Sequence, residues 1–474
     1  MDIASRNRIF VDGGGLEPAS ADVIEVVNPA TEELIGTVPA GNPADVDAAV
    51  GAARGAAADW AATPPPGRAA VLAAVREGLA ARADEAATLI ATELGAPLAL
   101  AQRLHVGLPL TVLGSFAALA ADFDFTEKIG NSVVRAEPVG VVGAITPWNY
   151  PLHQVVAKVA AALAAGCTVV LKPAEDTPFI AYLMADVFAA AGLPDGVLNV
   201  VSGTGPVAGA ALVEHPDVDM VSFTGSTVVG RHIGAVAGGA LKRVALELGG
   251  KSANVILPGA DIGKAVKVGV GNAFLNSGQT CSAWTRMLVH ADAYEQAVAL
   301  AADAAAKYTL GDPFDAATRL GPLVADRQRL RVRGFIDTGV AEGARLVTGG
   351  TAVPEGIEHG FFVRPTVFAD VTPDMTIAQE EIFGPVLSIM RYGDEDEALE
   401  IANGTRYGLA GGVWAADAER AAAFAARMRT GQVDINGGAF NPVAPFGGYK
   451  ASGVGRELGR HGLAEFLTYQ SQQF

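Results

Sequence analysis

The sequence predicts an α/β protein in which a parallel sheet carries helices on both faces, followed by a second α/β domain. Three observations point there. Between residues 139 and 237, short β-branched runs alternate with alanine-rich helical stretches, the order that builds strand–helix–strand units. A second alternating region begins near Asn254 and runs past Gly412 with strands of its own. A chain of 474 residues also exceeds what one hydrophobic core usually serves.

The elements follow in order. Residues 48–62 and 297–306 are alanine-rich and good helix formers, and TPPPGR at 63–68 reads as a loop leading into a helix. Val106–Ala121 is the most apolar window, but Pro109, Thr111, Gly114 and Ser115 interrupt it. It falls short of a membrane span, so a buried helix is expected. Strand VGVVGAI (139–145) leads through TPWNYP into helix LHQVVAKVAAALAAG (152–166). Next come strand TVVL (168–171), a helix from about Pro178 to Ala191, strand VLNVV and helix GPVAGAALVEH. Strand DMVSF and helix STVVGRHIGAVA close the first region, while SANVIL, RMLVH, VLSIMRY and GGVWAA read as strands of the second. Ser132–Glu137 and Phe466–Phe474 read as strands outside both domains, arms that would pair subunits.

Composition excludes several classes of function. Acidic residues outnumber basic ones by 51 to 34, a net charge of −17. Such a surface repels nucleic acid and anionic lipid, and no basic run offsets it. MDIASRNRIF places no apolar segment after its charges, so no secretory signal is expected. Two cysteines make no disulfide framework, which points to a reducing, cytoplasmic setting. The seven histidines include no His-x-x-x-His pair, and CxxC is absent, so no metal site is expected.

In open sheets ligands gather beyond the carboxyl ends of the strands, and each candidate residue reads as following a strand. Cys281 stands among small polar residues in LNSGQTCSAW, whereas Cys167 in ALAAGCTVVLKP has the apolar flanks of a passive core thiol. A nucleophilic thiol needs a lowered pKa and access to substrate. Glu247, between two leucines in VALELGGK, is a surface charge or a partly buried general base. Asn149 in ITPWNYP is a turn residue or an amide donor to an oxyanion. Lys172 and Glu175 in VVLKPAE are a surface ion pair or a clasp for ribose hydroxyls. Two glycine-rich turns compete for phosphate. SGTGPVAG (202–209) matches GxGxxA, and SFTGSTVVG puts Gly225 and Ser226 at a helix start. Spacing does not choose between them, and neither is followed by a clear acidic partner about 20 positions on. Glu381 lies in QEEIFGPV, in a loop that also precedes a strand, and PFGGYKASGVGRE (445–457) reads by itself as a flexible loop.

Taken together, TPWNYP, LKPAE, FTGSTVVG, LELGGK, NSGQTCSAWTR, EEIFGPV and PFGGYKASGVGRE stand in the order found in the NAD(P)-dependent aldehyde dehydrogenase superfamily. The sequence resembles that family over nearly its whole length. The resemblance implies a Rossmann-like NAD-binding domain (1–120 and 139–250), a catalytic domain (251–450) and a small β oligomerisation arm (121–138 and 451–474). It implies that Cys281 is the nucleophile, Glu247 the general base and Asn149 the oxyanion donor beside the Cys281 N–H. Lys158 and Glu457 match positions that relay protons. Lys172 and Glu175 match the adenosine-ribose contacts, Gly225 and Ser226 the pyrophosphate turn, and Gly205 the adenine side. Glu381, with Trp148 and Phe383, matches the nicotinamide-ribose end.

The implied reaction is oxidation of an aldehyde to the acid through a cysteine thioester. NAD is the expected cofactor, because Glu175 would repel the 2′-phosphate of NADP, although NADP is used by some members with this glutamate. A homodimer or homotetramer is expected. Three rivals remain: a member that releases its thioester to coenzyme A, against which Glu247 counts; a non-catalytic binding or structural protein that kept the fold, against which Cys281, Glu247 and Asn149 together count; and a cofactor-independent thiol esterase. The aldehyde pocket is expected from Tyr150 to Gln154, the flanks of Cys281, and Gly437 to Pro442, with Trp284 and Phe440 hinting at an apolar or aromatic-tolerant funnel.

Overall fold

The computed structural model describes residues 5–474, so the first four residues of the segment assigned to cofactor binding lie outside the described residues. Its largest sheet has eight strands. Across it they run Gly453–Val454, Arg243–Glu247, Met220–Thr224, Val141–Ile145, Thr168–Lys172, Leu198–Val200, Ile9–Val11 and Gly14–Leu16. The five central strands, 243–247 through 198–200, are mutually parallel. Strands 141–145, 168–172 and 220–224 are buried along their whole length, which is why they read as largely apolar runs rather than alternating ones. Their register sets Ile145 beside Lys172 and Thr224 beside Glu247. The loops that follow therefore leave the sheet at one edge.

The second sheet has seven strands, in the order Arg345–Thr348, Thr366–Ala369, Val386–Tyr392, Arg286–His290, Ala253–Ile256, Gly411–Trp414 and Asp434–Ile435. The chain passes from the carboxyl end of strand 243–247 to the amino end of strand 253–256 through Leu248–Ser252. The amino edge of this sheet thus meets the carboxyl edge of the first. This corrects the expectation that every candidate residue follows a strand. Cys281 precedes strand 286–290, and Glu381 and Phe383 precede strand 386–392.

Residues Leu98–Asp122 form one helical stretch with a π-helical turn at Ala101–Val106. At 25 residues it is long and apolar enough to cross a membrane, so the length argument made from Val106–Ala121 does not hold. Its Val112, Leu113, Phe116 and Ala120 side chains are instead wholly buried, and the helix packs on helices Pro65–Ala81 and Pro151–Ala165. The two outlying strands do pair. Leu467–Gln473 runs antiparallel to Ser132–Pro138, which also pairs with Thr126–Ile129. Of the segment 451–474, Gly453–Val454 joins the large sheet beside Leu246 and Glu247, and Leu463 lies in the first core.

Helix Phe179–Ala190 begins after Pro178, which has no side chain able to cap it. The carboxylate of Glu93, from a helix elsewhere in the chain, accepts the Phe179 and Ile180 N–H groups at 3.0 and 3.2 Å. Burial pushes this carboxyl up to about 8 against those two donors. The folded chain therefore keeps a proton that the unfolded chain releases at the ordinary value of 4.5. Stability falls as pH rises between those two values, by up to about 1.4 kcal/mol per pH unit. In Glu93→Gln that contribution disappears. Urea unfolding of variant and wild type from pH 5 to 8 is expected to give free energies that converge or cross as pH rises, and a constant difference would refute the assignment.

Candidate active site

The local backbone explains why Cys281 has small polar neighbours. Asn276, Ser277 and Gly278 are successive left-handed residues, at φ 52°, 58° and 73°. Such conformations cost on the order of 1–3 kcal/mol for residues other than glycine and persist only where their surroundings fix them. Here the Asn276 amide donates to the Asn149 carbonyl at 2.8 Å, and Ser277 Oγ to the Gly321 carbonyl at 2.8 Å. A Cβ on Gly278 would lie 2.1 Å from the Gly384 carbonyl oxygen. Gln279 Oε1 accepts the Val324 N–H at 2.9 Å, and the Thr280 and Tyr150 hydroxyls are 2.7 Å apart. The segment threads between both domains, and larger side chains would not pass.

Two cavities flank Cys281. The larger, of about 380 Å³, is a cleft between the facing sheet edges, walled by Trp148, Asn149, Gly225, Ser226, Glu381 and Phe383 among others. The smaller, of about 160 Å³, is bounded by Tyr150, His153, Gln154, Trp284, Asp434 and Phe440 among others. Among the described residues, Cys281 is the one common to both walls. Burial, with the carboxylates of Glu381, Glu247 and Glu457, raises its thiol above the ordinary range and outweighs the Ser282 N–H. The resting side chain is a thiol. Cys167 is wholly buried, and burial pushes it up to about 12.

Asn149 Nδ2 donates to the Gln279 carbonyl at 2.9 Å, which orients the amide and leaves its second N–H for the cleft. Glu247, the last residue of its strand, is 4% exposed, and neither carboxylate oxygen has a partner. Burial and the neighbouring Glu457 raise it well above the usual carboxylate range, against Lys158 and Arg456. Lys158 and Glu457 form a buried ion pair. These three groups come together behind Cys281. Glu247 walls neither cavity and reaches the thiol only through its field.

The proposed cofactor residues divide into two sets. Gly225 packs edge to edge with strand 243–247, donating to the Glu247 carbonyl at 3.0 Å. A Cβ there would meet the Phe223 ring at 2.5 Å. Ser226 Oγ accepts the Val229 N–H at 3.3 Å and so caps helix Thr227–Gly239. That helix start opens on the cleft, a suitable seat for an anion, and Thr224 Oγ1 beside it is buried without a partner. Glu381 Oε1 accepts the Gly250 N–H at 2.9 Å. Burial raises its carboxyl to about 7 against that donor, Arg331 and Lys251. Phe383, itself left-handed at φ 64°, meets Trp148 edge-on with centroids 5.3 Å apart.

The second set lies beyond the cleft wall. Lys172 Nζ donates to Glu175 Oε2 at 3.2 Å. Burial works to raise Glu175, but Lys172, a backbone N–H and Arg327 hold it below its usual range. Lys172 sits 3.8 Å from where a Cβ on Gly209 would be, which places the pair beside the turn Gly205–Gly209, whose Gly205 is exposed.

Sequence reasoning missed Lys251, Arg331 and Arg406. Lys251 is 2% exposed, and its Nζ has no partner. Burial and Arg286 push it down to about 7, against Glu381 and Glu380. The run LELGGK contained it. Arg331 and Arg406 wall the cleft from stretches without any motif.

Known proteins resemble the chain along nearly its whole length. The profile described as the Aldehyde dehydrogenase family matches residues 16–472. A curated relative from a Pseudomonas species, 3-succinoylsemialdehyde-pyridine dehydrogenase, is 49% identical over 468 residues, covering 98% of this chain and 97% of its own. Among solved structures, a cysteine-to-alanine mutant of aldehyde dehydrogenase C from Pseudomonas syringae, in complex with NAD+ and octanal, superposes with a TM-score of 0.98. It is 46% identical, with 99% of this chain and 97% of that one covered. An aldehyde dehydrogenase of Mycobacterium tuberculosis complexed with NAD+ matches at TM-score 0.97 and 47% identity, with 99% and 98% covered.

Proposed function

The chain belongs to the aldehyde dehydrogenase family, and from that premise we propose that it oxidises an aldehyde to the carboxylic acid through a thioester on Cys281, with NAD+ as acceptor. The observation that carries this reading is the place of Cys281, where the cleft walled by Trp148, Ser226 and Glu381 and an apolar cavity share a single wall residue.

The chain's own groups divide the work. The helix start at Ser226 and Thr227 receives the pyrophosphate, and Glu381 and the Trp148–Phe383 pair hold the nicotinamide end. Lys172 and Glu175 clasp the adenosine ribose. Held in this cleft, NAD+ would supply the hydride acceptor and a positive charge to offset the three carboxylates that keep the resting thiol protonated. The thiol gives up its proton to water in the cleft, and the Sγ thiolate attacks the carbonyl carbon of an aldehyde seated in the apolar cavity. The Cys281 N–H and the free N–H of Asn149 hold the oxyanion, an interaction worth about 10²–10³ in rate per donor. The adduct gives up hydride and becomes a thioester. Glu247 then takes a proton from water as the water attacks, and the Lys158–Glu457 pair carries that proton toward solvent. The three-stranded arm, exposed along Thr126–Ile129 and most of Leu467–Gln473, joins copies of the chain.

Product analysis tests the reading. Incubation with an aldehyde and NAD+ in water is expected to yield equimolar reduced nicotinamide and free acid. Reduced nicotinamide formed only when coenzyme A is present would identify the thioester-transferring rival. Ester cleavage with no nicotinamide reduction under any condition would identify the thiol esterase.

A further inference from the structure

The smaller cavity carries information about its occupant that rests on the dehydrogenase reading but goes beyond it. Its walls are aromatic and aliphatic: Tyr150, Trp284, Phe440 and Phe446, with Leu104 and Leu108. Trp284 is 2% exposed, and Phe440 meets Phe446 edge-on at 6.1 Å between centroids. No lysine or arginine lines it among the described residues. Its titratable side chains besides Cys281 and Tyr150 are His153 and Asp434. Burial, opposed by Glu457 and reinforced by Lys158, pushes His153 down to about 4, so its imidazole is neutral at working pH. Asp434 takes one hydrogen bond, from Gln432 Nε2 at 2.9 Å. Gln154 Oε1 is buried and has no partner. Among the described residues the only fixed charge on these walls is negative.

We propose that this cavity selects an aldehyde with an aromatic body and no negative charge: an aryl or heteroaryl aldehyde, neutral or bearing a basic nitrogen. A ring matches the aromatic walls by edge and face contact. A protonated nitrogen on it faces Asp434, and the same aromatic walls stabilise a cation. A carboxylate at that end is desolvated without a counter-ion and meets a like charge, the costly arrangement for a buried ion. Semialdehydes of dicarboxylic acids are thereby excluded as good substrates.

The test is a charge series on one frame: 4-methylbenzaldehyde, 4-formylbenzoate and 4-(trimethylammonio)benzaldehyde, each assayed with NAD+ at pH 8 on the full-length protein. Expected is a kcat/KM for the carboxylate at least about 100-fold below that of the neutral compound, with the cation within about tenfold of the neutral one. Asp434→Asn is expected to shrink the neutral-to-carboxylate ratio by about tenfold. Should that variant not fold, raising ionic strength on the wild type should narrow the same ratio. Turnover of the carboxylate as fast as the neutral compound, or a ratio that neither the variant nor salt moves, overturns the proposal while leaving the dehydrogenase reading intact. Reduction of NAD+ by none of the three, nor by aliphatic aldehydes, would overturn both.

Discussion

Cys281→Ala is expected to lower aldehyde oxidation on the order of 10⁴-fold or more, the scale on which removal of a nucleophile acts, while NAD+ binding stays within about threefold of wild type. The two halves follow from the same geometry. Without the sulfur no bond forms to the carbonyl, and neither Asn149 nor Glu247 can act on an adduct that does not exist. Cys281 holds no part of the loop in place. The strained turn before it is fixed by Asn276, Ser277, Gln279 and Thr280, so alanine leaves the cleft standing. Steady-state rates and calorimetric titration with NAD+ measure the two halves separately. A variant retaining a tenth of wild-type turnover would end the assignment of the nucleophile. Loss of both activity and binding would instead give the cysteine a structural role in the cleft.

Glu247→Gln is expected to cut steady-state turnover by about 10²–10³-fold, within the range of general base catalysis, and to leave the first turnover of reduced nicotinamide nearly intact. The thioester then accumulates, and a pre-steady-state burst of one equivalent per active site precedes a slow phase. Burial and Glu457 raise this carboxyl, and a base acts only when deprotonated. The wild-type steady-state rate should therefore climb with pH through an apparent value above the ordinary carboxylate range, and that limb should vanish in the glutamine variant. A burst reduced in step with the steady state would place Glu247 before hydride release instead of after it.

The α/β architecture was legible because its buried strands are chemically plain. VGAI, TVVL and MVSF are apolar but for Thr168 and Ser222. Arg345–Thr348, Thr366–Ala369 and Asp434–Ile435 were not legible. The first is short and largely exposed, and the last two are brief stretches between loops. The rule that sites follow strands failed for Cys281 and Glu381 because it describes one sheet, whereas here two sheets face each other in opposite sense. Residue type and motif singled out Asn149, Cys281 and Glu381, but their sharing of one cleft depends on contacts such as Asn276 with Asn149, across 127 residues of chain. Lys251 escaped notice for a different reason. Burial without a partner is a property of the packed interior, and the sequence beside it shows only two glycines.

Because the sulfur sits where two separate hollows meet, the protein has two entrances and one meeting point. On the proposed mechanism, traffic through one would not wait for the other: a spent dinucleotide would leave while the acyl group is still attached, and water would arrive by the vacated route. An inhibitor lodged in the aromatic hollow would accordingly leave dinucleotide exchange free, and a dinucleotide mimic would not shield the thiol from a small electrophile arriving from the aldehyde side.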